Sequence, residues 1–298
     1  MKNNKVSLFL DSGAFSAWSK KLEIDIYEYI KFIKEHKQYI DTYAVLDDIL
    51  DPETTLKNQN IMEKEGLNPL PCFHFGEDIK YLEYYLEKYD YIALGGMVPI
   101  STKDLVNWLD NIFGNYICDK NGIPKIEIHG FGLTSLFLML RYPWYSVDST
   151  SWVLTGRFGS VYVPKIRNGK YIYDENSWKI CVSNKSLNQK EAGKHITTFS
   201  EIEREEIKKY FKIKGYELGK SEFKIEKKDY KLKENEKWFS KARKDGTREV
   251  EKIIELGLCN DYKKRDELNI IYFLDLEKSM PKWPWAFKIK KRGFGISK

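Results

Sequence analysis

The chain has 298 residues, of which 42% are hydrophobic and 32% charged, with a formal net charge of +6. That length and apolar content suffice for a large buried core and exclude an intrinsically disordered chain. No window approaches the length of a membrane span, and Cys72, Cys118, Cys181 and Cys259 stand apart with no Cys-x-x-Cys pair to begin a zinc or redox motif. Met1 to Lys5 leads directly into an apolar stretch too short for a signal peptide, so the expected location is the cytoplasm, with reduced thiols and no membrane contact.

From the N-terminus, short apolar runs alternate with longer segments of helical period, the pattern of repeated βα units around a parallel sheet. Val6 to Leu10 reads as a strand, and Ile24 to His36 as a helix with Ile26, Tyr29, Ile30 and Ile33 along one side. Tyr43 to Leu46 is the next strand, and Pro52 to Glu65 the next helix, opened by Asp51-Pro52 and closed by Gly66. Leu70 to Phe75 with Asp78 to Tyr89, Tyr91 to Leu94 with Ser101 to Phe113, and Lys125 to Ile128 with Thr134 to Arg141 continue the rhythm. Ser101 and Asp104 read as a capping box in its acidic form. Ser146 to Val147 and Ser160 to Val163 bring the strands to seven, and Lys179 to Val182 is the candidate eighth. The count predicts an α/β fold, an irregular (β/α)8-type TIM barrel with its site at the carboxyl ends of the strands.

Beyond residue 185 the pattern turns to Lys/Glu-rich segments, with Phe199 to Lys212 and Glu234 to Leu256 reading as helices. Residues 1–184 carry 20 Lys+Arg against 24 Asp+Glu, which leaves 30 against 20 for residues 185–298, or −4 and +10. The expected organisation is a TIM-barrel catalytic domain over 1–184 and a basic, mainly helical extension over 185–298 that meets a polyanion. A solvated lysine-rich face without a partner is the plainer alternative.

The predicted strand ends fall at Asp11, Asp47, His74, Gly95, His129 and Asp148. An Asp after a strand is by itself more often a turn former or helix cap. Several such ends converging on one barrel mouth make a site. Nothing in the local spacing joins His74, His129 and the carboxylates into a ligand set, so neither a metal nor a cofactor is expected.

Five of these segments, in this order, resemble the motifs of the tRNA-guanine transglycosylase superfamily. Phe9-Leu10-Asp11-Ser12-Gly13-Ala14-Phe15-Ser16 resembles its Thr-Asp-Ser-Gly-Gly-Phe/Tyr-Gln strand end, and Val45-Leu46-Asp47-Asp48 its Asp-Glu base-recognition pair. Ala93-Leu94-Gly95-Gly96 looks like its Ile-Gly-Gly turn, Ile128-His129-Gly130-Phe131-Gly132 like its Met-Gly-Val-Gly loop, and Ser146-Val147-Asp148-Ser149 like its nucleophile segment. The resemblance implies an irregular α/β barrel that exchanges a guanine in a polynucleotide for a free 7-deazaguanine base of the preQ0/preQ1 kind. On it, Asp148 is the nucleophile that holds the sugar as a covalent ester and Asp11 the general acid/base. Asp47 then accepts from guanine's N–H groups, the backbone at Gly95 and Gly96 donates to its carbonyl, and Phe15 stacks on the ring. Ser12, Met97, His74 and His129 are the further base-binding candidates.

The chain departs from the tRNA enzymes in lacking their Cys-x-Cys-x-x-Cys…His zinc subdomain and the long segment before their first motif. Both departures resemble the DNA-acting 7-deazaguanine transglycosylases (DpdA-type) of phages and genomic islands, so DNA is favoured over tRNA. Ala14, Ser16 and Met97-Val98-Pro99 also replace family residues, which leaves the substituent of the incoming base open. A base inside a duplex must be flipped to reach such a mouth. The candidate nucleic-acid contacts are Arg157, Lys165 and Arg167, with Lys288, Lys290, Lys291 and Arg292 in the aromatic run that begins at Trp283. Docking of that run on the barrel with its lysines outward is the alternative. Rival functions are the same exchange on tRNA, a non-catalytic nucleic-acid-binding partner subunit of the same fold, and a retaining glycosidase.

Overall fold

Six short strands carry the first part of the chain: β1 (Phe9–Leu10), β2 (Thr42–Tyr43), β3 (Cys72–His74), β4 (Tyr91–Gly95), β5 (Glu127–Gly130) and β6 (Ser146–Val147). All pair in parallel and in chain order, β1 with β2 and β3 through β6 in succession, with a bridge from Ala44 to Leu70 linking the two sets. The structure is a computed structural model that describes residues 7–186 and 191–288. Helices α1 (Ala14–Lys20) and α2 (Ile26–His36) separate β1 from β2. After them, α3 (Pro52–Lys64), α4 (Ile79–Lys88), α5 (Thr102–Ile112) and α6 (Leu136–Arg141) occupy the successive crossovers.

Local chemistry explains these boundaries. Asp25, Asp51, Asp78 and Ser101 each accept from amides in the first turn of the helix that follows, a contribution of about 1 kcal/mol per cap. The apolar side of α2 buries Tyr29, Ile30 and Ile33 against Val45, Leu46, Met62 and Leu70. Each aliphatic side chain removed from water there stabilises the unit by roughly 1.5–3 kcal/mol. Helix α1 has no such stripe, since only Ala14 of its seven residues is buried.

The chain divides into two compact units, residues 1–149 with 281–298 and residues 150–280. The expected boundary after residue 184 therefore falls inside the second unit. That unit contains α7 (Ser151–Arg157), β7 (Ser160–Val163), β8 (Lys165–Arg167), β9 (Lys170–Ile172), β10 (Trp178–Cys181), α8 (Glu201–Ile213), β11 (Lys220–Lys227), β12 (Glu236–Trp238), β13 (Thr247–Glu255) and α9 (Tyr262–Ser279). Strands form where a seventh and eighth were expected, but β7 and β10 pair antiparallel with each other rather than continuing a parallel sheet. Val161, Val163 and Ile180 pack with Ile207, Tyr210, Phe211 and Leu268 in a core of their own.

The segment 234–256 corrects the expectation of a helix. It contributes β12 and β13 to a three-stranded antiparallel sheet with β11, so the described residues of 185–298 are mixed rather than mainly helical. Lys and Glu favour helices only by tenths of a kcal/mol. Here the alternation of charges at period two lets neighbouring strands pair them, Lys237 with Glu251 and Lys252 with Glu222, while Lys224 on β11 reaches Glu236 on β12 across the central β13, beside the buried Val250.

The aromatic run from Trp283 docks on the first unit. Phe287 packs against Phe113 and Tyr142 and donates its amide to the Gly122 carbonyl at 2.7 Å, and Trp283 Nε1 donates to the Pro143 carbonyl at 3.1 Å. Lys288 is exposed; Lys290, Lys291 and Arg292 lie outside the described residues. No helix among the described residues is long and apolar enough to cross a membrane.

Candidate functional site

Parallel strands deliver their carboxyl ends to one edge of the sheet, and there the first unit places Asp11 after β1, Asp47 beyond β2 and Asp148 after β6. The Gly132 N–H donates to Asp148 Oδ1 at 2.7 Å, and Gly132 adopts φ +65, a left-handed conformation that suits glycine. Burial pushes the Asp148 carboxyl above the ordinary carboxylate range; the Gly132 hydrogen bond opposes this and the charge of Asp11 adds to it. Asp11 has a solvent-exposed face, but the protein around its other sides also raises its pKa through desolvation. The Gly13 amide, at a long 3.4 Å, opposes that rise, and the charge of Asp47 reinforces it.

Asp47 is held on both oxygens. Ser12 Oγ donates to Oδ1 at 2.7 Å and His74 Nε2 lies 2.9 Å from Oδ2, while His74 Nδ1 lies 2.8 Å from Glu77 Oε1. Burial alone would depress the His74 pKa, and the Cys72 sulfur with the hydrogen bonds to Asp47 and Glu77 raises it well above the usual imidazole range. Because burial pushes the Cys72 thiol itself up to about 11, that thiol is neutral near pH 7. The two carboxylates therefore hold His74 as an imidazolium that donates from both nitrogens.

Compared with protein-family models, curated proteins and solved structures, the chain matches none of them. What the site can do follows from its own residues.

Gly95 and Gly96 have separate reasons to be glycine. A Cβ on Gly95 would lie 2.8 Å from Cys72 Sγ and from a His74 ring carbon, whereas Gly96 has φ +66. The pair thus lets His74 sit against β4 and lets the backbone turn away at the strand end. Met97 beyond it is buried, as is Ser12, whose oxygen also accepts from the Ala14 amide. Phe15 on α1 is 48% exposed, beside Trp18, and so presents a ring to solvent. His129 is buried, stacked on Phe9 at 4.4 Å, with Nδ1 2.7 Å from Ser146 Oγ.

The remaining basic candidates belong to the second unit. Arg157 is exposed near the end of α7. Lys165 Nζ lies 4.3 Å over the Trp178 ring, and Arg167 pairs with Glu175 at 2.8 Å. An exposed pair of the latter kind contributes about 0–1 kcal/mol and yields readily to a phosphate.

Sequence reasoning missed Cys72, Glu77, Tyr91, Gly132 and Ser146 as partners of the site. One signal was available, because Cys72 and His74 alternate along β3 and so share a face. With Asp47 they bring three donor atoms within 4.8 Å of one another, a set of the kind zinc accepts. In the structure the Asp47 and His74 atoms face each other as a charged hydrogen bond, which satisfies the grouping without an ion. Exhaustive chelation is accordingly expected to leave the melting temperature unchanged. Stoichiometric zinc that is lost in Cys72→Ser would assign the cluster to a metal.

Proposed function

We propose that this chain is a pentosyltransferase that replaces guanine in DNA by a 7-deazaguanine through a covalent aspartyl-glycosyl intermediate. The observation that carries the reading is the unequal setting of two neighbouring carboxylates. Asp148 accepts a short N–H bond from Gly132, which favours its ionised form, whereas Asp11 has a long one from Gly13 and feels the charge of Asp47. Such an asymmetry suits Asp148 to attack and Asp11 to carry the proton.

In the first step a carboxylate oxygen of Asp148 bonds to C1′ of the target nucleotide as the C1′–N9 bond breaks, and Asp11 gives its proton to the departing guanine. In the second, the ring nitrogen of the incoming base attacks C1′, its proton passes to Asp11, and the ester bond breaks to restore the Asp148 carboxylate. Asp47 keeps one lone pair on each oxygen after Ser12 and His74 are satisfied, enough to accept the N–H groups of a guanine edge. Gly95 and Gly96 supply backbone at close range and Phe15 an exposed ring for stacking. The six parallel strands are read as the larger part of an irregular (β/α)8-type barrel, and cytoplasmic nucleic acid as the substrate pool. The basic side chains Arg157, Lys165, Arg167 and Lys288 would meet the phosphates.

The test is nucleoside mass analysis of DNA and tRNA from cells that express the protein and are supplied with a deazaguanine. A deazaguanine nucleoside in DNA is expected. Its appearance in tRNA alone would move the substrate to tRNA, and its absence from both would overturn the reading.

A further inference from the structure

His129 is 2% exposed, and its ring is fixed by stacking on Phe9 and by an edge contact with Phe131 at 4.6 Å. Its Nδ1 lies 2.7 Å from Ser146 Oγ, which lies 2.7 Å from the Tyr91 hydroxyl. The register of β5 and β6 places His129 opposite Ser146. Nε2 is buried, has no hydrogen-bond partner among the described residues, and lies 3.8 Å from Asp148 Oδ1. Burial pushes this imidazole down to about 3, so it is neutral at working pH and carries one N–H.

Counting donors decides which nitrogen holds the proton. With the proton on Nδ1, His129 donates to Ser146, Ser146 turns to Tyr91, and a buried lone pair on Nε2 faces a carboxylate. With the proton on Nε2, Tyr91 donates to Ser146, Ser146 donates to Nδ1, and the Nε2–H dipole points at Asp148. The second arrangement gives the Tyr91 and Ser146 hydroxyls acceptors, turns the Nε2–H toward Asp148 Oδ1 at 3.8 Å, and removes an unfavourable meeting of lone pair and anion. Tyr91 is suited to head the chain, because burial raises its pKa and keeps its hydroxyl protonated.

We propose that Tyr91, Ser146 and His129 form a hydrogen-bond relay that presents a neutral Nε2–H to Oδ1 of Asp148, with His129 as the residue that positions the nucleophile. The role rests on the reading of Asp148 as nucleophile. Gly132 already donates to Oδ1, so a second donor on the same oxygen leaves Oδ2 to attack C1′. A small rotation of the carboxylate closes the 3.8 Å gap, as catalytic hydrogen bonds often tighten only with substrate bound. When the ester bond breaks, the charge returning to the carboxylate meets both donors. The titratable groups facing Asp148 are His129 from β5 and Asp11 from the end of β1, with Asp47 acting on Asp11.

Nitrogen-15 NMR of the histidine-labelled protein tests the tautomer without any substrate. A protonated Nε2 and an acceptor Nδ1, unchanged across neutral pH, are expected; a protonated Nδ1 or an imidazolium would overturn the relay. Ser146→Ala and His129→Phe should both raise the carboxyl titration midpoint of Asp148, followed by carbon-13 NMR. They should also slow adduct formation with a guanine-containing oligonucleotide, by about 10²-fold for His129→Phe, the loss typical of one preorganised donor. The loss should fall on kcat and not on KM for the free base, which separates this positioning role from the base-binding one expected of His129 from the sequence, and Ser146→Thr should restore the rate. A midpoint and rate equal to wild type in both variants would overturn the positioning role. Failure of the wild-type protein to form any adduct would instead count against the transglycosylase reading, while tautomer and titration still decide the relay.

Discussion

Asp148→Asn is expected to abolish base exchange, with a loss of at least ~10⁴-fold, as for other nucleophiles removed from covalent mechanisms. The amide fills the same space and keeps an oxygen for the Gly132 N–H, so polynucleotide binding should stay within a few-fold of wild type. What it lacks is the second anionic oxygen needed to form the glycosyl ester. A denaturant-resistant protein–oligonucleotide adduct should therefore appear on a gel with wild type and not with the variant. The wild-type rate should fall on the acid side as Asp148 takes up a proton. Since burial raises its pKa above that of a free aspartate, that limb should sit above the ordinary carboxylate range. An undiminished adduct in Asp148→Asn would transfer the nucleophile to Asp11.

What the sequence made legible was whatever depends on neighbours along the chain. The apolar run before Asp148 and the stripe of Tyr29, Ile30 and Ile33 mark their elements because side-chain period is a local property. The same holds for Asp51-Pro52, which starts α3 where expected. Pairing partners are not local. Nothing in Ser160 to Val163 says whether it joins a parallel sheet or turns back on Trp178 to Cys181, and the choice falls to packing against α8 and α9. Likewise, Thr247 to Glu255 carries good helix formers, yet its charges find partners across strands, Glu251 with Lys237 and Lys252 with Glu222. At the site, the carboxylates were visible as strand-end residues, whereas the contacts that tune them were not. Ser146 meets His129 across two strands, and Gly132 reaches Asp148 from a loop sixteen residues earlier.

His74→Gln is expected to destabilise the first unit by about 3–5 kcal/mol, the range for removing one partner of a buried charged set. His74 is 3% exposed and lies between Asp47 and Glu77, so the neutral amide leaves two carboxylates buried near one another without a cation. The pH dependence identifies the cause. Because the folded-state pKa of His74 is raised above its unfolded value of 6.5, its contribution is fully present below about pH 6.5 and is lost progressively as pH rises toward the folded pKa. The stability gap between wild type and His74→Gln should therefore narrow through the alkaline range, by about 1.4 kcal/mol for each pH unit. Urea unfolding at pH 6.5, 7.5 and 8.5 measures that slope directly. A gap that stays constant over the series would mean that His74 is neutral in the folded protein and that Asp47 is oriented by an uncharged hydrogen bond. If instead the gap narrows, Asp47 is the outer member of a charged chain, and on the proposed transglycosylase reading the same substitution should raise KM for the free base more than it lowers kcat.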